Sequence, residues 1–196
     1  MTETPPSKGI GQILREIDSL DRAVYRVIAQ TATPTLDHDL RVLSRSADHS
    51  VLWLSIAGAL AVVPGRPRRA ALLGAASIAV ASVNVNAVAK MLLRRQRPDR
   101  VTAAVPLARQ VRMPHSTSFP SGHSASAFAF ASAVGTQLPR IALPLQLLAA
   151  AVAYSRIHTG VHYPSDTIVG ASIGMASAAA TASVARQLAV SHLHSV

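Results

Sequence analysis

The sequence predicts an all-α, integral-membrane helical bundle of about five transmembrane helices, preceded by one or two amphipathic helices. Three observations carry this expectation. Nearly half of the 196 residues are hydrophobic (49%), they gather into five apolar segments, and those segments are crowded with small residues. Against the apolar content stands a formal net charge of +10, a combination that suits a membrane protein handling anions. The chain has no cysteine, which excludes a disulfide framework, a thiolate metal site and a cysteine nucleophile. Its opening, MTETPPSKGIGQ, is polar and lacks the apolar core of a cleaved secretory signal, so a soluble exported protein is disfavoured.

Taken in order, Ile10, Ile13, Leu14, Ile17, Leu20, Val24, Val27 and Ile28 recur at helical spacing with Arg15, Glu16, Asp18, Arg22 and Arg26 between them. This predicts an amphipathic helix over 9–30, lying in the membrane interface or packed on its own domain. A shorter helix is expected over 36–46, after Pro34. Residues 1–50 thus read as an N-terminal amphipathic or interfacial region and 51–190 as the transmembrane part of a single domain. Apolar segments follow at 51–63, 70–93, 124–138, 141–157 and 167–188. A bilayer core calls for about 20 apolar residues per helix, so the first and third need tilt or flanking residues to cross it. The alternative is a soluble bundle of unusually apolar helices. Gly170, Ala171, Ser172, Gly174, Ala176 and Ser177 weigh against it, because small residues let helices approach closely in lipid.

With five spans, the loop after the second helix and the loop between the fourth and fifth share one side of the membrane. Arg66, Arg68, Arg69, Arg140 and the C-terminal tail lie on the other, and would mark it as cytoplasmic. Arg94, Arg95, Arg97, Arg100, Arg109 and Arg112 on the first side reverse the count, so charge alone leaves the orientation open.

Three polar segments meet on that first side. In Lys90-Met-Leu-Leu-Arg94-Arg95-Gln-Arg97-Pro98, residues 90, 94 and 97 would set three cations on one helical face, and Pro98 would end the helix at Arg97. Such a cluster calls for an anion, either an acidic headgroup or a substrate phosphate. In Ser118-Phe-Pro-Ser121-Gly122-His123-Ser124, a turn enters an apolar helix. Helix-start N–H groups, the small Gly122 and the Ser121 hydroxyl make an oxyanion cradle, and His123 beside it is a candidate general acid. In Ser155-Arg156-Ile-His158-Thr-Gly160-Val-His162-Tyr-Pro164-Ser-Asp166, Pro164 suits a helix start. Asp166 can then reach one nitrogen of His162 and leave the other free as a nucleophile. Arg156 can fork onto two phosphate oxygens. His158, His162 and Asp166 also stand at four-residue intervals, as metal ligands could, but Gly160 and Pro164 interrupt the helix that this reading needs.

The order Lys90-x6-Arg97-Pro98, Pro120-Ser121-Gly122-His123, Ser155-Arg156-x5-His162-x3-Asp166 closely resembles the signature of the type 2 phosphatidic-acid phosphatase superfamily, and the helix layout resembles its bacterial membrane branch. The resemblance implies a lipid phosphate phosphatase in which His162 attacks phosphorus, Asp166 orients it and His123 protonates the leaving oxygen. Lys90, Arg97, Arg156, Ser121 and Gly122 would hold the phosphate oxygens. It implies no metal and no cofactor, a phosphohistidine intermediate hydrolysed by water, and a site facing away from the cytoplasm in the cell membrane. The expected partners are a lipid phosphate substrate and membrane lipids. Phosphatidic acid, phosphatidylglycerophosphate, a polyprenyl diphosphate and a polyprenyl-linked sugar phosphate are all candidate substrates. Competing readings are a phosphotransferase or vanadate-dependent oxidant enzyme of the same superfamily, and a non-catalytic membrane protein that binds anionic lipid. Nucleic acid is not expected, because aromatic residues for base stacking are few (4%).

Overall fold

The structure is a computed structural model and describes residues 9–89 and 95–194. Among these residues the chain forms seven α-helices: α1 (Ile10–Gln30), α2 (Pro34–Ser46), α3 (Val51–Ala61), α4 (Arg66–Val83), α5 (Gly122–Gln137), α6 (Pro139–His158) and α7 (Pro164–His194). Prolines stand in the first turn of α2, α4 and α6, where the missing N–H costs nothing and the fixed φ favours the helix. The amphipathic helix and its shorter successor therefore form where the apolar periodicity places them.

Among the described residues three helices are long and apolar enough to cross a membrane: Arg66–Asn86, Pro139–His158 and Pro164–Ser191. The other two expected spans are shorter. α3 has 11 residues and α5 has 16, so they rise only about 16 and 24 Å against a hydrocarbon core of about 30 Å. α5 compensates by lying inside the bundle, where α4, α6 and α7 pack around it and bury nine of its residues, Phe130 among them. The main core gathers Trp53, Ile78, Phe130, Val134, Leu145 and Val152, with the Trp53 and Phe130 rings 5.6 Å apart.

The small residues of α7 act at the α5 crossing. A Cβ on Gly170 would stand 2.4 Å from the Ser121 carbonyl oxygen, and one on Gly174 would stand 2.3 Å from that of Ala125. Both obstacles are backbone, so the helices could not keep this separation with a larger residue at either position. The close approach matters for the site, because it presses the first turn of α7 against the turn that starts α5.

One expectation fails in its geometry. The second apolar segment is α-helical only through Val83 and then widens into a π-helix over Asn84–Ala89. Lys90 and Arg94 lie outside the described residues, and Arg97 stands in a segment without regular secondary structure rather than on a helical face. Arg97 gives its guanidinium to loop carbonyls (below), tertiary contacts that helical spacing does not report.

The packing makes a direct prediction. Gly174→Leu should destabilise the bundle by at least about 2 kcal/mol, read as a lower apparent Tm in detergent. Gly58→Ala, whose Cβ would meet nothing within 4 Å, should leave it unchanged or slightly raised.

Candidate active site

Asp166 organises the site. It sits in the first turn of α7 with no exposure. A buried carboxylate must be paired and hydrogen-bonded to stay ionised, and this one is. Its Oδ2 accepts from the Tyr163 N–H at 2.8 Å and from the Ser118 hydroxyl. Its Oδ1 accepts from Arg95 Nη1 at 2.9 Å. The Ser121 N–H donates to its backbone carbonyl at 2.9 Å, which ties the start of α5 to the start of α7.

His162 precedes α7 and is 2% exposed. Its Nδ1 stands 3.4 Å from Asp166 Oδ2 and 3.5 Å from Ser118 Oγ. Its Nε2 lies 3.3 Å from Arg97 Nη1. A carboxylate on one side and a guanidinium on the other assign the proton to Nδ1 and the lone pair to Nε2. Burial drives the pKa down to about 3 from 6.5, and Arg97 and Arg156 push the same way. The ring is therefore neutral at physiological pH, with a nucleophilic nitrogen facing a cation.

Arg97 is held in place by the chain around it. It donates to the Ser116, Val161 and Thr117 carbonyls at 2.9, 2.8 and 3.1 Å, and so pins two loops beside His162. Arg156, in the last turn of α6, is 1% exposed. It donates through Nη1 to Ser44 Oγ at 2.6 Å, while its buried Nε has no partner among the described residues. An orphaned guanidinium N–H in a buried site is a donor waiting for an acceptor. Ser121 caps α5 and is buried, and among the described residues a Cβ on Gly122 would approach only Val85, at 3.9 Å. His158 takes no part in the dyad: its Nε2 faces Thr33 Oγ1 at 3.0 Å and Asp37 Oδ1 at 3.3 Å, as a packing residue would.

Three contributors carry no role in the sequence reading. Ser118 holds Asp166. Arg95, counted there only as one charge among several, joins Asp166 to α1. Asp48 binds His123, with Oδ1 at 2.8 Å from Nε2, and lies 3.6 Å from Arg156 Nη1. Asp48 is delivered by a hook between α2 and α3 in which His49 (φ 52°) and Ser50 (φ 61°) are both left-handed. Two successive non-glycine residues in that region cost about 1–3 kcal/mol each, a strain found where a side chain must be aimed. Pattern gives almost no sign of this hook, because Asp48-His-Ser has no glycine to announce it.

The chain has counterparts among known proteins. A family model described as the PAP2 superfamily matches residues 69–188. Decaprenylphosphoryl-5-phosphoribose phosphatase of Mycobacterium tuberculosis is 41% identical over 138 residues, which cover 68% of this chain and 72% of that protein. The crystal structure of Aquifex aeolicus LpxE superposes with a TM-score of 0.70 at 27% identity, covering 84% of this chain and 95% of the other. A transmembrane PAP2 type phosphatidylglycerolphosphate phosphatase from Bacillus subtilis superposes with a TM-score of 0.68 at 20% identity, covering 88% and 87%; at that identity the likeness speaks for the fold.

The buried imidazole also predicts how stability depends on pH. Its folded pKa is depressed to about 3, so between pH 6.5 and 3 the unfolded chain takes up a proton that the folded chain refuses. The contribution is whole above pH 6.5 and is lost as pH falls, with a slope approaching about 1.4 kcal/mol per pH unit. The apparent Tm in detergent should drop between pH 7 and pH 5, and less steeply for His162→Gln. Equal slopes would contradict a neutral, buried His162.

Proposed function

The chain belongs to the PAP2 superfamily, and from that premise we propose that this membrane phosphatase removes the terminal phosphate of a polyprenyl-linked sugar phosphate through a phosphohistidine at His162. One observation carries the mechanism: a neutral imidazole held between the Asp166 carboxylate at Nδ1 and the Arg97 guanidinium at Nε2. Phosphate oxygens drawn to Arg97 bring phosphorus to the lone pair of Nε2.

In the first step the Nε2–P bond forms and the bond from phosphorus to the leaving oxygen breaks, with His123 giving its proton to that oxygen. Asp166 stabilises the imidazolium character that grows on His162. Arg97, Arg156 and Lys90, with the Ser121 hydroxyl and the N–H groups at Gly122, offset charge on the phosphoryl oxygens. In the second step water attacks phosphorus, His123 takes a proton from it, and the P–N bond breaks to release inorganic phosphate. These steps require no metal. Burial pushes the pKa of His123 down, and the Asp48 carboxylate against its Nε2 opposes that shift while holding the ring in place.

A relative 41% identical supports the sugar-phosphate reading. Decaprenylphosphoryl-5-phosphoribose carries a phosphomonoester on a sugar hydroxyl, a poor leaving group that makes a general acid valuable. The site lies in the cell membrane on the extracytoplasmic side. At the far end Arg66, Arg68, Arg69, Arg140 and Arg186 are exposed. At the site end Arg95, Arg97, Arg100 and Arg109 are committed to carboxylates and carbonyls, but Arg15, Arg26 and Arg112 are exposed there, so positive-inside counting does not choose a side and the extracytoplasmic placement rests on the family.

Detergent-purified protein should release phosphate, in the presence of chelator, from decaprenylphosphoryl-5-phosphoribose in preference to phosphatidic acid, phosphatidylglycerophosphate, a polyprenyl diphosphate or a soluble phosphomonoester. Vanadate should inhibit it, and His162→Ala should abolish it. Preference for another member of that panel would reassign the substrate; normal turnover by His162→Ala would sink the mechanism.

Asp48→Asn should cut turnover of alkyl phosphates about tenfold or more, within the usual range for impaired general acid catalysis, while sparing an aryl phosphate whose leaving group needs no proton. An equal loss on both would show that Asp48 serves phosphate binding or folding instead.

A further inference from the structure

α1 carries three faces, and two of them are explained by what they touch. At about 100° per residue, Asp18, Asp21, Tyr25 and Ala29 face the protein, with the last three buried. Arg15, Ser19, Arg22 and Arg26 lie on an exposed polar face. The third face is an arc of about 100° holding Ile10, Ile13, Ile17, Leu20, Val24 and Val27, with Leu14 at its edge beyond Asp21, all seven exposed, from 37% at Val24 to 79% at Ile10. Six large apolar side chains in one stripe call for an apolar partner. The polar face and the protein-facing aspartates forbid a spanning position, and the three arginines across the helix from the stripe complement phospholipid headgroups.

The protein-facing side of α1 reaches the catalytic dyad. Asp18 Oδ1 pairs with Arg95 Nη2 at 2.9 Å, Asp21 Oδ2 pairs with Arg95 Nη1 at 2.8 Å, and the same Nη1 binds Asp166 Oδ1 at 2.9 Å. Asp21 also accepts from the Ser165 N–H at 2.8 Å and from its hydroxyl, which places a negative charge at the N-terminus of α7, where the helix dipole favours one. Arg95 lies over the Tyr163 ring at 4.2 Å. Burial disfavours its charge, yet Asp166, Asp21 and Asp18 together hold its pKa above the ordinary value.

We propose that α1 is seated in the lipid interface beside the site and braces the His162–Asp166 dyad, with Asp18, Asp21 and Arg95 as positioning residues that hold Asp166 from outside the bundle. The lipid that covers the stripe is the bilayer's own headgroup and acyl boundary. The brace rests on the phosphatase reading above; the seating of α1 does not.

The absence of cysteine makes the test direct. Ile17→Cys and Arg22→Cys, each labelled with an environment-sensitive fluorophore, are reconstituted in vesicles of phosphatidylcholine and phosphatidylglycerol. The label at 17 should be quenched by spin-labelled lipid and shielded from iodide, and the label at 22 the reverse. Iodide access at both positions would overturn the seating.

For the brace, Arg95→Gln and Asp21→Asn should each lower kcat at least about tenfold with KM within about twofold, and Arg95→Lys should recover part of the loss. Should either fail to fold, Asp18→Asn, on a half-exposed residue, carries the same test with a smaller loss in kcat. An unchanged kcat, or a rise in KM at constant kcat, would overturn the brace, the latter by placing Arg95 on the substrate. No phosphate release from the unaltered protein would instead count against the phosphatase reading and leave the quenching result standing.

Discussion

The structure depends on one buried anion. Asp166 has no exposure, and removing a carboxylate from water is costly unless its lone pairs find donors. Its donors come from separate parts of the chain: Ser118 from the loop before α5, Tyr163 from the loop after α6, and Arg95 from the segment after α4. Satisfying this carboxylate therefore brings three loops together at one end of the bundle. His162 stands where that convergence leaves room for it, with Nδ1 on the carboxylate and Nε2 free for chemistry. The energetic demand of burying Asp166 and the geometric demand of orienting His162 are met by the same contacts.

Arginine does two kinds of work here. Arg97, Arg100 and Arg109 reach into loops and satisfy backbone carbonyls: those of Ser116, Thr117 and Val161 for Arg97, of Gly160 and Val111 for Arg100, and of Ile28, Ala29 and Thr31 for Arg109. Five planar donors on one side chain suit that task better than an ammonium would. Arg156 differs in its place: it donates to the Ser44 hydroxyl and lies 3.6 Å from the Asp48 carboxylate that holds His123, and its buried Nε is left without a partner among the described residues, as is Nη2 of Arg100. Arg97 belongs to both kinds, fixed by carbonyls and facing Nε2 of His162. Rigid cations placed beforehand spare the protein any reorganisation when charge builds on a transferring phosphoryl group.

What pattern reveals here, and what it misses, follows from how each feature arises. The helices were legible because they rest on apolar periodicity and on prolines at their starts, both local. The His162–Asp166 pairing was legible because four residues and Pro164 set its geometry within one turn. The π-helix over Asn84–Ala89 and the placement of Arg97 outside any helix were not, and Arg97 answers to tertiary contacts. Asp48 was the least legible of the site residues. It lies 75 positions from His123, and its hook uses left-handed residues that are not glycine. The partners of Arg95 on α1 were hidden for the same reason: Asp18 and Asp21 look like ordinary charges on the polar side of an amphipathic helix.

In the proposed mechanism phosphate passes through His162 before it reaches water. Two in-line displacements at phosphorus restore the original configuration, whereas a single attack by water inverts it. The stereochemical course of hydrolysis, followed on a sugar thiophosphate made chiral at phosphorus with oxygen isotopes and hydrolysed in water carrying the third isotope, separates the two. Net retention is the predicted result, and net inversion would contradict a phosphohistidine at His162.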